Sequence, residues 1–550
     1  MKKHVRIISC ILALVMMLAL VACGDKSETA GTGATDAAAP AAPAELTENE
    51  ILVVGVSSLP NGIDPEYHNS LEAMSLAANV YETLLDWDIT TNENGTCVPD
   101  FDYTKIKGAL AEKWWRSDDG KTIYFKLREG VLSNFGNELT AEDVKWRLDR
   151  ADALDALGVF HMYDCTGLSS CENVHVEDKY TIAITTDDVS YIADIFYTHI
   201  LCGIIDSTEA KKHITDADPW ASDWLATNAA TFGPYYIDEW TPGNQVVIVA
   251  NPNYYGEAPA IKKIIYKEIP NSANRLAMLQ SGDIDVFDSP LPEEVKQLQG
   301  VDGVKIEYHR SNKSLRIEPL CIDPILSNVK VRQALAYAFP YDEVLETVFL
   351  NNASPMTSIQ ADIYPFHEDT YNYTTDLEKA KALLEEAGYG DGFDVTISID
   401  SAKADHERMC ILFKTSLEKI GVNLNIEKLP TGDLYNKRLN YSLQLYVNED
   451  MAGFPDPQFA VAMFSTAASG MNYNKFKDDE LEVAYAGAKY SLDPQVREDA
   501  WHTMQVQFAD NVGWIMICEP GFYLPVTTAL SGGVWTPLNG FDFSHATLSR

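Results

Sequence analysis

Cations are scarce in this chain: Lys and Arg number 42 against 81 Asp and Glu in 550 residues, a formal charge of −39. A field of that sign repels phosphate backbones, which argues against nucleic-acid binding. Metal-binding patterns are missing too. No CxxC or clustered Cys/His spacing points to zinc, and the 11 His are scattered, with no two at i, i+4 on a helix. The marks of hydrolytic chemistry are absent. There is no HExxH, since His406-Glu-Arg-Met-Cys410 lacks the second histidine, and no GxSxG or Walker loop. Ser416-Leu-Glu-Lys419 and Ser327-Asn-Val-Lys330 match SxxK, but without the SDN or KTG companion that the chemistry requires. No repeat of 20–50 residues is visible. The 46% hydrophobic content with 32 Gly and 25 Pro excludes collagen-like and wholly disordered chains. The length implies several domains.

The amino-terminus carries the first positive signal. Lys2, Lys3 and Arg6 precede an apolar run, Ile7 to Ala22, that is marginal for spanning a bilayer but typical of a secretory signal. It ends in Leu20-Val21-Ala22-Cys23, which resembles the bacterial lipobox, so residues 1–22 read as a lipoprotein signal peptide and Cys23 as the lipidated residue. A plain signal followed by a chance cysteine is the alternative. Cleavage removes three cations and no acid, taking the charge from −39 to −42. Gly24 to Glu45 is Gly, Ala, Thr, Pro, Ser and acids without apolar periodicity, so 23–45 reads as lipidated cysteine plus disordered tether. At roughly 5–6 Å × √n it reaches about 25 Å. Seven cysteines remain in the body, an odd number, so at least one is free. Cys165 and Cys171 are close enough in sequence to pair, with buried thiols as the alternative.

Strands and helices alternate through the body. Ile51–Val56 reads as a buried strand, and Ser70–Leu85 as a helix with Leu71, Met74, Ala78, Tyr81 and Leu85 on one face. Lys121–Leu127 alternates like a half-buried strand, and Thr140-Ala-Glu-Asp143 opens a helix as a capping box. Val246–Ala250 and Ile261–Ile269 are strands, while Ala273–Ser281 and Val329–Phe339 are helices. Two further helices end at Gly388 and Gly421, the second feeding the strand Val422–Ile426. The interleaving means α/β layers.

Nine segments then fall in a familiar order. Leu110-Ala-Glu-Lys-Trp-Trp115, Ser117-Asp-Asp-Gly120, Phe125-Lys-Leu-Arg-Glu-Gly-Val131 and Leu139-Thr-Ala-Glu-Asp-Val144 form one stretch. Thr231-Phe-Gly-Pro-Tyr235, Asn251-Pro-Asn-Tyr-Tyr255, Gln280-Ser-Gly-Asp-Ile-Asp285, Val331-Arg-Gln-Ala-Leu335 and Ala380-Lys-Ala-Leu-Leu-Glu-Glu-Ala-Gly-Tyr389 follow. Together they resemble the extracellular solute-binding proteins of family 5, the oligopeptide-, dipeptide-, nickel- and oligosaccharide-binding subunits of bacterial ABC importers. The resemblance spans about residues 50 to 545. It implies an α/β, periplasmic-binding-protein type II-like two-lobed clamp with an extra inserted domain. Lobe I takes 46–85, 226–308 and 516–550, the inserted domain 86–225, and lobe II 309–515. The chain then crosses between lobes near Glu307 to Arg316 and near Ile515 to Glu519. These landmarks are read as scaffold: Ser117-Asp-Asp-Gly120 and Gly233-Pro234 as turns, and the acids of Thr140-Ala-Glu-Asp143 as helix capping.

The resemblance also raises a question of ligand. Peptide-binding members neutralise the peptide ammonium with an aspartate four residues before the proline of a Trp-x-x-Asp-x-x-(Asp/Glu)-Pro stretch. In Asn448-Glu-Asp-Met-Ala-Gly-Phe-Pro-Asp-Pro457, that count places Gly453 at the aspartate and Asp450 at the tryptophan. Either Glu449 or Asp450 reaches the ammonium from a shifted loop, or the ligand lacks a free amine, or the ungapped count is off by a gap. Asp456 is a further acidic candidate, and a solvated acidic loop is the plain alternative for Glu449, Asp450 and Asp456. Trp87, Tyr446, Phe454, Trp514 and Tyr523 are candidates for lining the cleft, where a sugar would stack. The expectation is a monomeric, lipid-anchored, extracytoplasmic subunit that closes on an oligopeptide, or alternatively an oligosaccharide, and delivers it to an ABC permease. It touches the membrane through its lipid alone, without catalysis, cofactor or metal. A surface-anchored hydrolase or a sensory receptor are the competing classes.

Overall fold

The structure, a computed structural model, describes residues 45–550 apart from 68–69, 93–94, 157–161, 164–165, 191–192 and 538–539. The signal, Cys23 and the tether through Ala44 therefore lie outside the described residues. Two large mixed sheets dominate. The seven-stranded sheet runs, in spatial order, 235–241, 245–250, 263–268, 51–56, 286–287, 522–527 and 304–309. At its centre Ile51–Val56 pairs in parallel with Lys263–Glu268 and with Val286–Phe287. A strand flanked on both sides in this way is covered on both faces, which is why it reads as an unbroken apolar run.

The helix Leu71–Val80 starts where Ser70 caps it, its hydroxyl accepting from the Ala73 amide at 3.2 Å, and buries Ala73, Leu76, Ala77 and Val80. It stops at Val80 rather than continuing to Leu85 as the periodicity predicts, because the next turn is needed elsewhere. Leu85–Trp87 is a strand paired with Ile106–Gly108. The orphaned Val80 carbonyl accepts from the Thr231 hydroxyl at 2.5 Å. Gly233 passes so close that a Cβ there would lie 2.2 Å from the same oxygen. That close approach, more than turn geometry, explains the glycine of Thr231-Phe-Gly-Pro-Tyr235. The buried amide of Asn79 then ties this helix to the carboxyl-terminal strands, donating to the Phe541 carbonyl and accepting from the Phe543 amide.

The six-stranded sheet runs 353–355, 515–520, 313–319, 445–451, 393–400 and 422–429. Phe393–Asp400 and Val422–Leu429 are parallel, joined by the helix Ala404–Glu418. The two strands begin at facing glycines of positive φ, Gly392 and Gly421, so close that a Cβ on Gly392 would lie 1.9 Å from the Gly421 carbonyl oxygen. A four-stranded antiparallel sheet, 111–116, 122–127, 181–185 and 174–178, carries the helix Ala141–Leu154. Asp143 caps that helix, accepting from the Thr140 amide at 2.8 Å and from the Ser207 amide at 2.9 Å. The turn at Ser117–Gly120 closes on Asp119, which accepts from the Ser117 hydroxyl. Strands 89–91 and 97–99 join the carboxyl-terminal strands 534–536 and 540–542 in a smaller sheet.

The described body cysteines 97, 171, 202, 321, 410 and 518 are free thiols. Cys171 forms no disulfide and donates to the Leu148 carbonyl; Cys165 lies outside the described residues. Among the described residues no helix is long and apolar enough to cross a membrane.

The chain moves between the two large sheets twice. Strand 304–309 belongs to the seven-stranded sheet and 313–319 to the six-stranded one; 515–520 and 522–527 reverse the passage. The passages therefore occupy residues 310–312 and Gly521. The Ser311 hydroxyl donates to the Pro520 carbonyl at 2.6 Å, which binds them side by side.

Candidate functional site

A narrow cavity lies at these passages, with room for about one water-sized group. Its walls include Asn312, Ser314, Ala452, Phe464, Trp514 and Glu519. Asn312 sits in the first passage and Glu519 beside the second. The Asn312 amide nitrogen donates to the Tyr364 hydroxyl and to the Ala452 carbonyl, both at 2.7 Å, which fixes the side chain and leaves its buried Oδ1 without a partner. Trp514 is covered on one face by the Arg316 guanidinium, 3.7 Å from the ring centroid. Arg316 is itself buried and held by Glu318 at 2.9 Å, with Asp450 at 3.8 Å. Glu519 is only 5% exposed. Burial pushes its carboxyl up to about 8, with Arg310 offsetting only part of the effect.

The residues singled out in the sequence scatter around this cavity, and Trp514 alone among them lines it. Tyr446 is buried and donates its hydroxyl to Glu318. Glu449 lies between Lys313 at 3.4 Å and Lys403 at 2.9 Å. Burial alone would raise its carboxyl, but the two lysines outweigh it and hold it at about 2. Asp450, on the same strand, has its carboxyl raised by burial, with Arg316 opposing. Gly453 follows in the loop, where a Cβ would meet the Phe459 ring at 3.4 Å, an ordinary contact. Phe454 packs on His199, Phe459 and Phe196. Asp456 caps the helix Pro457–Ser465 and is completely buried, accepting from the Tyr103 hydroxyl at 2.6 Å and pairing with Arg497 at 2.9 Å. Trp87 is core, edge-on to Phe101 at 5.2 Å. Tyr523 is half-buried against Tyr308.

No assembly of nucleophile and base emerges from these groups. The SxxK serine Ser416 donates to the Ala338 carbonyl at 2.6 Å, and Lys330 of the other match pairs with Glu386. The buried acids Asp64 and Glu66 are balanced by Arg150 and Arg147. What the site offers is recognition: an enclosed space within the body of the six-stranded sheet, beside the passages, with the unused acceptor of Asn312 and the unused indole donor of Trp514.

The family model for bacterial extracellular solute-binding proteins, family 5 (middle), matches residues 105–472. The chain belongs to that family. This family-5 protein is 25% identical over 539 residues to the dipeptide-binding protein of Escherichia coli, covering 92% of this chain and 96% of the relative. It is equally 25% identical to heme-binding protein A of Haemophilus influenzae, with 96% of each chain covered. Among solved structures it matches the ABC transporter substrate-binding protein CtaP of Listeria monocytogenes with a TM-score of 0.80 at 20% identity, covering 92% of this chain and all of that one. The fold is thus the two-lobed α/β fold of type II periplasmic binding proteins, and the protein is a binding protein, not an enzyme.

For a family-5 protein, the residues that sequence reasoning missed are Asn312, Arg316 and Glu519. Asn312 carries no local signal, since an asparagine before a strand is commonplace. Glu519 does carry one: it is the lone carboxylate at the end of Trp514-Ile-Met-Ile-Cys518, where the pattern otherwise demands burial.

Proposed function

We propose that the protein is the lipid-anchored solute-binding subunit of an ABC importer, closing on a peptide or similar small oligomer and delivering it to the permease. Family membership and the peptide-binding relative support this reading. The observation that carries it is the double passage of the chain between the two large sheets. Two adjacent connections between two sheets form a hinge about which the two bodies can close on a guest. In this reading lobe I takes 46–85, 226–308 and the carboxyl-terminal segment, the inserted domain 86–225, and lobe II 309 onward. The return crossing is drawn at Gly521 rather than 516, because Ile515–Pro520 is hydrogen-bonded into the six-stranded sheet. The Cys23 lipid concentrates the subunit at the membrane face without any added protein contact.

Native mass spectrometry of the mature chain, followed by denaturing release, tests the ligand class. Released masses spaced by amino-acid residues are expected. Masses spaced by hexose units would replace the peptide with an oligosaccharide while leaving the transport role intact.

A further inference from the structure

We infer that the inserted domain is a latch: an aromatic seam between it and lobe II draws the clamp toward its closed form through protein contacts, before any guest contributes. This rests on the reading of the double passage as a hinge. It deepens that reading by naming what regulates closure.

The first ground is a core shared across the line of opening. One buried apolar cluster takes Phe101, Phe125 and Phe196 from the inserted domain together with Tyr364, Phe454 and Phe459 from lobe II. Phe454 is fully buried, its ring 4.7 Å from His199 and 6.3 Å from Phe196. Phe101 meets Tyr364 edge-on at 5.3 Å. Parting these rings would return apolar surface to water, so their burial favours the shut form. The second ground is which interface of the inserted domain can part. Towards lobe I it is fixed twice. Trp146, Ile200 and Ile205 enter the core of lobe I, and Arg147 and Arg150 make buried charge-assisted bonds to Glu66 and Asp64. Towards lobe II the rings are joined by a neutral donor, the Tyr103 hydroxyl, which reaches Asp456 at 2.6 Å. If that seam parts, Asp456 keeps Arg497 of its own lobe, and no charge is stranded. The third ground is connection to the hinge. Tyr364 accepts from the Asn312 amide in the first passage at 2.7 Å and donates to the Ala452 carbonyl at 3.2 Å. Ala452 opens the loop that carries Phe454 and Asp456 onto the inserted domain, so a rotation at the passage displaces the seam. A clamp partly shut in advance leaves the guest less of the closing to drive, and apparent affinity rises with the closed fraction.

The test is small-angle scattering of the mature chain, stripped of bound solute by dialysis through sub-denaturing urea, beside Tyr103→Phe, Phe454→Ala and the control Glu293→Ala. Glu293 of lobe I pairs with Arg408 of lobe II at 3.7 Å, but both are about half exposed, so that pair contributes little to closure. Both seam variants should raise the radius of gyration while Glu293→Ala matches wild type. For Phe454→Ala the rise is on the order of 1 Å against the ~23 Å of a compact chain this size, and for Tyr103→Phe it is smaller. Tyr103→Phe deletes one oxygen and keeps the ring, so it decides the matter if Phe454→Ala no longer melts cooperatively. Seam variants as compact as wild type, in a protein that a pool of di- and tripeptides still compacts, would overturn the latch and leave the hinge standing. Seam variants as compact as wild type, with no response to the pool, would overturn the latch and remove the hinge's support as well. Equal swelling in Glu293→Ala would assign closure to charges between the lobes and sink the seam.

Discussion

A half-buried and a buried glutamate near the hinge show how environment, not residue type, sets chemistry. Glu449 is braced by Lys313 and Lys403 and ionises at about 2. Glu519 faces only Arg310, itself committed to Asp362, with Tyr364 and Cys518 as its neutral neighbours, and ionises near 8. The signs are opposite. Glu449 contributes stability above its usual 4.5 that is lost as pH falls toward 2. Glu519, raised when folded, contributes stability below 4.5 that is lost as pH rises through 8. Calorimetric melting should therefore peak between these limits, with Glu519→Gln flattening the alkaline limb. An unchanged alkaline limb in that variant would mean that Glu519 is not buried uncharged. Asp456 is the third informative carboxylate. Its oxygens serve a helix cap, Tyr103 and the buried Arg497, so its role is structural. Asp456→Ala should cost about 3–5 kcal/mol in urea unfolding, because it strands the Arg497 charge out of water.

At the scale of elements, the glycines decide which pieces fit together. The parallel pair Phe393–Asp400 and Val422–Leu429 begins where Gly392 and Gly421 approach each other. Gly392 combines a φ of 81° with contact to backbone, which cannot move aside as a side chain can. Gly392→Ala should destabilise by at least about 1–3 kcal/mol. Gly388→Ala shares the positive φ but meets nothing within 4 Å, so it should cost less; comparing the two by thermal denaturation separates crowding from conformation. Helix ends were legible in the same way. Gly282, Gly388 and Gly421 all lie at positive φ just past the helices whose ends they mark in the sequence. The early end of Leu71–Val80 was not legible, because Leu84 and Leu85 continue the apolar spacing while serving a different core.

At the scale of the molecule, the proposed function makes ligand capture a closing of two bodies about the paired passages. A guest held by both should stabilise the whole chain by mass action, about 2.7 kcal/mol at a hundredfold its Kd. Added ligand should also lower the radius of gyration in small-angle scattering. A ligand that raises the melting temperature without compaction would place its site within one lobe. The −39 charge supports solubility and repels polyanions at this scale, and plays no part in choosing the fold.

The sequence by itself determined the class of the molecule: α/β layering from alternating periodicities, helix ends from glycines, and family from motifs lying in order along the chain. These are local patterns, written in residues near one another. Only the tertiary structure decided which acids are spent and which are free. Asp456 and Glu449 look available in the sequence, and their neutralising partners Arg497 and Lys403 come from distant stretches. Glu519 looks like one acid among 81 until folding buries it beside Asn312, more than two hundred residues away, with Arg310 offsetting only part of that burial. Charge pairing is a property of distance in space, which spacing along the chain does not encode.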